Sequence, residues 1–218
     1  MARSLISTLL PACVACEEII GAPVAAPLTP EEEATLARAV EKRRREFGLG
    51  RQCARAALAR LGVPPVSILP GPERQPLWPA GIVGSITHCT GYCAAAVARQ
   101  SDIAALGIDA ELARPLEPGV VERITLPEER AWIAAQAPEI PWAHLFFSAK
   151  ESVYKAWFPL TGRWLGFEDV RIEVNPAAGT FTAHLISGEE PRLFQGRYRI
   201  DEDRVLTAAM PGFWAEES

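Results

Sequence analysis

The sequence predicts an α+β fold made of two similar halves. Two proline-bearing helix starts, Thr29-Pro30-Glu31-Glu32 and Thr125-Leu126-Pro127-Glu128, open two helical stretches. Each stretch gives way to short β-rich segments parted by turn residues. Helices followed by a small meander, twice over, is the pattern of an α+β protein. The 218 residues suit one domain of about 200 residues or two of about 100. Either size can bury a core without a disulfide or zinc. The boundary is expected near residues 108–115, giving an N-terminal half over 1–107 and a C-terminal half over 108–218. No repeat at the level of the residues establishes a duplication.

Taken in order, Met1 to Cys16 holds one arginine, a short apolar run and small residues before Cys13, a faint imitation of a lipoprotein signal. The run from Leu5 to Leu10 is interrupted by Ser7 and Thr8 and is too short for an h-region. No stretch approaches the roughly 18 apolar residues of a membrane span, so a cytoplasmic protein with no membrane partner is expected. Thr29 can cap a helix, Pro30 suits its first position, and Glu32 closes a capping box. That helix should run through Ala34, Ala37 and Val40 into Lys42-Arg43-Arg44-Arg45 and weaken at Gly48 and Gly50. A second helix is expected from about Arg51 to Leu61, ending at Gly62. The proline-rich stretch from Pro64 to Pro79 reads as an irregular crossing.

Ile82 to Thr87, Tyr92 to Ala98 and Ala104 to Glu111 read as three strands of a small antiparallel sheet. In the second half, Thr125 starts a capped helix reaching about Gln136, and a longer helix covers about His144 to Phe158, ending before Pro159. Strands are expected at about Val170 to Val174, Thr180 to Ser187, Gly196 to Ile200 and Val205 to Ala209. Asn175 to Gly179 and Asp201 to Asp203 supply turns between them.

Composition excludes several classes. The chain is 49% hydrophobic and 22% charged, with a formal net charge of -5, so no general case exists for a nucleic-acid partner. Only three of the 22 cationic residues are lysines, and two of them, Lys150 and Lys155, share one short stretch. The five cysteines, Cys13, Cys16, Cys53, Cys89 and Cys93, are an odd number, which argues against a secreted disulfide framework. Cys13-x-x-Cys16 has no matching pair at zinc-finger spacing, so buried or half-buried free thiols are the better reading.

Four groups of residues can carry chemistry. In Gly107-Ile108-Asp109-Ala110-Glu111, residues two apart on a strand share a face, so Asp109 and Glu111 stand side by side. Close like charges are unfavourable unless a cation joins them, and magnesium takes one or two carboxylates together with substrate phosphates. A bare D-x-E is more often two solvated acids, but the apolar flank from Ala104 to Ile108 is an unusual place for idle ones. In Phe147-Ser148-Ala149-Lys150-Glu151-Ser152-Val153-Tyr154-Lys155, Glu151 and Lys155 are four apart on a helix and Lys150 is turned by about 100°. The bland reading is a surface ion pair. The apolar neighbours Leu145, Phe146, Phe147, Trp157 and Phe158 favour instead a third metal ligand flanked by phosphate-binding cations.

The third group is basic: Arg43 and Arg51 are eight apart, and Arg51 and Arg55 share a helix face. A solvated face or nucleic-acid patch would look similar, but the acidic total and the lack of interleaved aromatics favour a polyphosphate small molecule. The fourth is Gly84-Ser85-Ile86-Thr87-His88-Cys89, whose hydroxyls and imidazole can approach a phosphate. Ser85 has no nucleophile-elbow context.

Together these stretches, with Trp164-Leu165-Gly166-Phe167-Glu168-Asp169, resemble the 4'-phosphopantetheinyl transferases of the long single-chain type, in the enterobactin-synthase-associated branch. The D-x-E followed some 40 residues later by K-E-x-x-x-K is the most specific part. The resemblance implies two halves related by a pseudo-twofold, with coenzyme A bound between them, and a monomer. It implies magnesium, or manganese in its place, held by Asp109, Glu111 and Glu151. It implies that Arg43, Arg51, Ser85, His88 and Lys150 touch phosphates of coenzyme A, that Lys155 supports them, and that Tyr154 and Trp164 lie on the pantetheine side. The partners implied are apo carrier proteins or carrier domains of fatty-acid, polyketide or nonribosomal peptide synthases. The N-terminal half would then be the nucleotide side and the C-terminal half the metal and pantetheine side. Asp109, Lys150 and Glu151 would be the catalytic set, Glu151 as ligand or as base. Relatives often carry a basic residue near Leu69-Pro70-Gly71, where this chain has proline; Arg74 is the nearest substitute. Two other readings use the same residues: a metal-dependent hydrolase of a nucleotide cofactor, and a non-catalytic coenzyme A- or carrier-binding module.

Overall fold

Each half of the chain is built on a twenty-residue helix laid across an antiparallel sheet. The computed structural model describes residues 5–212 apart from 22, 187, 189 and 202, and the chain divides into two units, Met1–Ile103 and Ala104–Ser218. Ser187 and Glu202, the ends of one expected strand and part of one expected turn, lie outside the described residues, as do residues 1–4.

In the first unit, strands β1 (Ala15–Ile20), β2 (Ile82–Cys89) and β3 (Tyr92–Arg99) form an antiparallel sheet in the order β1-β3-β2. Strand β1 is absent from the sequence reading, because its central Glu17 and Glu18 spoil an apolar alternation. The side chain of Glu18 is used: it accepts hydrogen bonds from the backbone N–H groups of Leu5 and Ile6 and from the Tyr92 hydroxyl at 2.7–3.1 Å. Helices α1 (Pro30–Ala34) and α2 (Glu41–Arg60) precede β2. The break between them falls earlier than expected. Helix α1 ends after five residues, and the Arg44 guanidinium takes up the Leu36 carbonyl beyond its end, at 2.9 Å. Helix α2 then runs straight through Gly48 and Gly50. Those glycines allow close packing rather than breaking the helix: a Cβ on Gly48 would meet Ala25 Cβ at 2.8 Å, and one on Gly50 would meet Ile86 Cγ2 at 3.0 Å. Leu49, Cys53, Ala54, Ala57 and Leu58 of α2 bury against Ile82, Cys93, Ala95 and Val97 of the sheet.

The second unit carries a five-stranded antiparallel sheet in the order β4-β8-β7-β6-β5, formed by β4 (Gly107–Leu112), β5 (Val170–Asn175), β6 (Thr180–Leu185), β7 (Leu193–Ile200) and β8 (Arg204–Pro211). The third strand expected in the first meander is therefore β4 of this sheet, with Asp109 opposite Thr207 of β8. Helices α3 (Pro118–Ile124), α4 (Pro127–Ala134) and α5 (Trp142–Thr161) lie between β4 and β5. Thr125 closes α3 instead of opening α4, its hydroxyl donating to the Val121 carbonyl. Helix α5 passes through Pro159 and stops at Gly162, whose φ of 65° is the left-handed conformation of a helix C-cap. Among the described residues, no helix is long and apolar enough to cross a membrane.

Helix α5 buries Phe146, Ala149, Val153, Ala156 and Trp157 against Ile172, Phe181, Phe194 and Ala209. A buried polar pair fixes its rotation, with Ser148 Oγ 2.9 Å from Thr207 Oγ1 and Thr207 donating to the Ser148 carbonyl. Strand β4 approaches α5 so closely that a Cβ on Gly107 would lie 1.8 Å from the Ser152 carbonyl oxygen. Gly107→Ala is expected to lower unfolding stability by about 1–3 kcal/mol or more, read by chemical denaturation. An unchanged midpoint would show that α5 and β4 are not in this contact.

Candidate active site

The carboxylates come together on the second unit, where α5 crosses β4. Gly107, Asp109 and Glu111 share the β4 face turned to α5, while Glu151 and Lys155 stand one helical turn apart on α5. Lys155 Nζ donates to Asp109 Oδ1 at 2.7 Å and to the Ile108 carbonyl at 3.1 Å. Asp109 is 4% exposed, and Glu111 and Glu151 are half-buried. Burial, then the neighbouring Asp109, pushes Glu111 up to about 7, against the pull of Lys155. Burial also raises Glu151, with Lys155 lowering it and Asp109 raising it. Three acids thus share one field with one ammonium among them. A hard divalent cation would relieve that excess charge, and oxygen donors are what magnesium takes. The donor set fits such an ion chemically. Among the described residues, however, no three His, Cys, Asp or Glu side chains are gathered closely enough to form a coordination shell as they stand.

Lys150 is not brought to these carboxylates. It lies 2% exposed on another side of α5, donating to Glu129 Oε2 at 2.7 Å and to the Phe167 carbonyl at 2.9 Å. Burial lowers its pKa, against the opposing pull of Glu129. Two of the three donors of this enclosed ammonium are spent on groups of its own unit. Its bond to Phe167 anchors the Trp164-Leu165-Gly166-Phe167 segment to the helix. Glu129, which sequence reasoning passed over, is 2% exposed and also accepts the N–H groups of Leu126 at 2.7 Å and Ile172 at 2.8 Å. Tyr154 makes tilted ring contacts with Phe158 and Trp164, with centroids 5.8 and 5.1 Å away, and Trp164 is 76% exposed.

The first unit divides its expected phosphate contacts among three places. Arg43, Phe47, Arg51 and Arg55 recur every four residues along one ridge of α2. The Arg51 guanidinium lies 4.0 Å above the Phe47 ring, and its Nε donates to the Ile68 carbonyl at 2.6 Å. Burial, only partly offset by Glu32, lowers its pKa to about 10, so it stays a cation at neutral pH. His88 is on another side of α2, exposed, at a cavity of about 420 Å³ that it lines with Lys42, Arg45 and Thr90. Ser85, 3% exposed, is on the sheet face opposite α2, since Ile82 and Ile86 of the same strand pack against the helix. Pro70 pairs with Pro76 in a tight hairpin, and Arg74 stands exposed at its tip with φ 66°.

The cation ridge has its own buried carboxylate. Glu32, 0% exposed, accepts Arg55 NH1 on both oxygens at 2.8–2.9 Å, the Ile68 N–H at 2.9 Å and the Thr29 N–H at 3.1 Å. Glu32 and Glu129 are equivalent. Each is the third residue of a short helix begun by Pro-Glu-Glu, and each binds its own N-cap N–H, an isoleucine N–H from a distant extended segment and a cation from the long helix. The repeated tripeptides Pro30-Glu31-Glu32 and Pro127-Glu128-Glu129 were the available signal. The cysteines are free thiols, buried or half-buried except for the exposed Cys13.

Residues 31–98 match the family model of the 4'-phosphopantetheinyl transferase N-terminal domain, and residues 105–209 match that of the 4'-phosphopantetheinyl transferase superfamily. The chain is similar to 4'-phosphopantetheinyl transferase Svp of Streptomyces mobaraensis, 52% identical over 203 residues that cover 88% of this chain and 82% of the relative. It is similar to 4'-phosphopantetheinyl transferase Npt of Nocardia iowensis, 44% identical over 218 residues covering 94% and 98% of the two chains. A shorter match, 40% identical over 123 residues and 53% of this chain, joins it to 49% of enterobactin synthase component D of Salmonella typhi.

Two outcomes follow from this geometry. Because the folded Glu111 holds its proton up to about 7, the folded protein should lose stability as pH rises from about 4.5 to 7 in chelator. Glu111→Gln should remove that loss, giving a higher melting temperature than the parent at about pH 8 and a similar one at about pH 4.5. Equal pH dependence of the two proteins would refute the crowding of the acids. Lys150→Met should lower stability by about 3–5 kcal/mol without any substrate present, because it strands a buried carboxylate. Undiminished stability in denaturant titrations would return Lys150 to a role in binding substrate.

Proposed function

Because the chain belongs to the 4'-phosphopantetheinyl transferase superfamily, we propose that it moves the phosphopantetheine arm of coenzyme A onto a serine of an apo carrier protein, releasing 3',5'-ADP. The observation that supports this reading is that Asp109 and Glu111 on one face of β4 lie beside the α5 residues Glu151 and Lys155, with Lys155 bonded to Asp109. Asp109, Glu111 and Glu151 would hold a magnesium ion, with manganese as a substitute. Bound there, the metal would supply charge neutralisation at the pyrophosphate, the principal aid in this chemistry.

The chain's own groups do the rest. Lys155 holds Asp109 in one rotamer and keeps a positive charge beside the acids. Glu151 is assigned as a ligand, since a carboxylate engaged in that way is a poor base for the serine. Arg43 and Arg51 on the α2 ridge are assigned to one phosphate of coenzyme A and His88, beside its cavity, to another, while Ser85 lies on the opposite sheet face from both. Lys150 acts behind the helix by anchoring the loop after α5. Tyr154 and Trp164, in tilted contact with each other, offer an aromatic surface to the pantetheine arm. The carriers proposed are those of fatty-acid, polyketide or nonribosomal peptide synthases, met by a cytoplasmic, monomeric enzyme.

Incubation with coenzyme A, magnesium and an apo carrier, read by intact mass, should add one phosphopantetheine to the carrier. Asp109→Ala should lower turnover by about 10²-fold or more while leaving the fold intact. No mass gain on any of the three carrier types would overturn the transferase reading. Release of 3',5'-ADP without a carrier would point to a hydrolase.

A further inference from the structure

The two buried glutamates do the same structural work, but only one of them leads on to a residue proposed to bind substrate. In the second unit, the chain of contacts from Glu129 stops at the N–H of Ile172, a strand residue packed in the core. In the first unit it continues. Glu32 receives the N–H of Ile68, and the carbonyl of that same Ile68 receives Arg51 Nε at 2.6 Å. Arg55 completes the chain from the other side, with its NH1 shared between both oxygens of Glu32. Arg55 and Arg51 stand one helical turn apart on α2, so the extended segment at Ile68 is clamped against the ridge at two successive turns.

This geometry matters for the guanidinium. Arg51 is 6% exposed, and its Nε–H is spent on a backbone carbonyl while its plane rests on Phe47. A guanidinium binds phosphate through its parallel N–H pairs, so fixing Nε aims the two terminal nitrogens in one direction. A preset arginine loses less side-chain entropy on binding than a free one. The Ile68 carbonyl can set that direction only if the segment carrying it is itself held. Ile68 lies outside any sheet ladder, in the irregular crossing between α2 and β2. Its side chain is buried against α2, and its N–H bond to Glu32 is the polar contact that fixes the orientation of its peptide group.

We propose that Glu32 is a positioning residue for coenzyme A, setting affinity for the substrate's phosphates by locking the Ile68 carbonyl that orients Arg51. The inference rests on the assignment of Arg51 as a phosphate contact. Glu32 itself, fully enclosed, touches no substrate.

The test is steady-state transfer to an apo carrier with Arg51→Ala, Glu32→Gln, Arg55→Lys and the double variant Glu32→Gln/Arg51→Ala. Glu32→Gln keeps the shape and one acceptor oxygen but weakens the charged bonds. It should raise KM for coenzyme A about tenfold, equivalent to about 1.4 kcal/mol, with kcat within about twofold and KM for the carrier unchanged. Arg55→Lys should shift KM for coenzyme A in the same direction, and it serves as the informative variant if Glu32→Gln does not fold. The double variant should be no worse than Arg51→Ala alone, as expected for residues acting through one another. If Arg51→Ala leaves KM for coenzyme A unchanged, the phosphate assignment falls. If Arg51→Ala raises it but neither Glu32→Gln nor Arg55→Lys does, that assignment stands and the positioning role is overturned. Equal rises in both KM values, or additivity in the double variant, would reduce Glu32 to a structural residue and also overturn the proposal.

Discussion

The close approach of α5 to β4 is the constraint on which the second unit depends. A strand carrying Asp109 and Glu111 can meet a helix carrying Glu151 only if something brings the backbones together and something tolerates the charge. Gly107 does the first, because no side chain fits beneath the Ser152 carbonyl. Lys155 does part of the second, through its bond to Asp109. Burial first, and the neighbouring acids after it, raise the pKa values of Glu111 and Glu151 against the pull of Lys155. Half-buried acids next to a like charge are harder to ionise than free ones, and a nearby cation favours their charged form. The Ser148–Thr207 pair beside Asp109 prevents the helix from turning the acids away.

The second organising device is the buried glutamate at the third position of a short helix. Helices of five and eight residues have little stability of their own. Glu32 and Glu129 make them part of the core by joining each helix start to a distant segment and to the long helix. A buried carboxylate with three donors is satisfied, whereas the same group with one donor removed would be strongly destabilising. The device recurs in both units, and its only trace along the sequence is the repeated Pro-Glu-Glu at 30–32 and 127–129. The cations differ, Arg55 in one unit and Lys150 in the other, so direct comparison of residues obscures the equivalence.

Legibility in the sequence varied with the range of the interaction concerned. Strands β2, β3, β5, β6 and β8 were readable because apolar content and turn residues are local signals. The start of α1 was readable because Thr29, Pro30 and Glu32 act on one another within one turn. Gly48 and Gly50 were misread, because a glycine inside a helix looks like a break until its neighbour across the interface is known. Pro159 was misread for a related reason: near the end of α5 it removes little, and Gly162 ends the helix. The opposite placement of Ser85 and His88 was in principle available, since residues three apart on a strand point to different faces. Lys150 beside Glu151 suggested one cluster, yet about 100° of helical turn sends one to the acids and the other to Glu129.

What the sequence by itself determined was the fold class, the family, and the shared faces that carry Asp109 with Glu111 and Glu151 with Lys155. These depend on periodicity and on motif spacing, which are properties of neighbours along the chain. What only the tertiary structure decided was that β4 belongs with β8, that Lys150 is enclosed, and that Glu32 and Glu129 are hubs. Those outcomes are set by contacts between residues far apart along the chain, from 17 positions for Lys150 with Phe167 to 98 for Asp109 with Thr207. A buried charge is placed by where its partners arrive, and no local pattern records that.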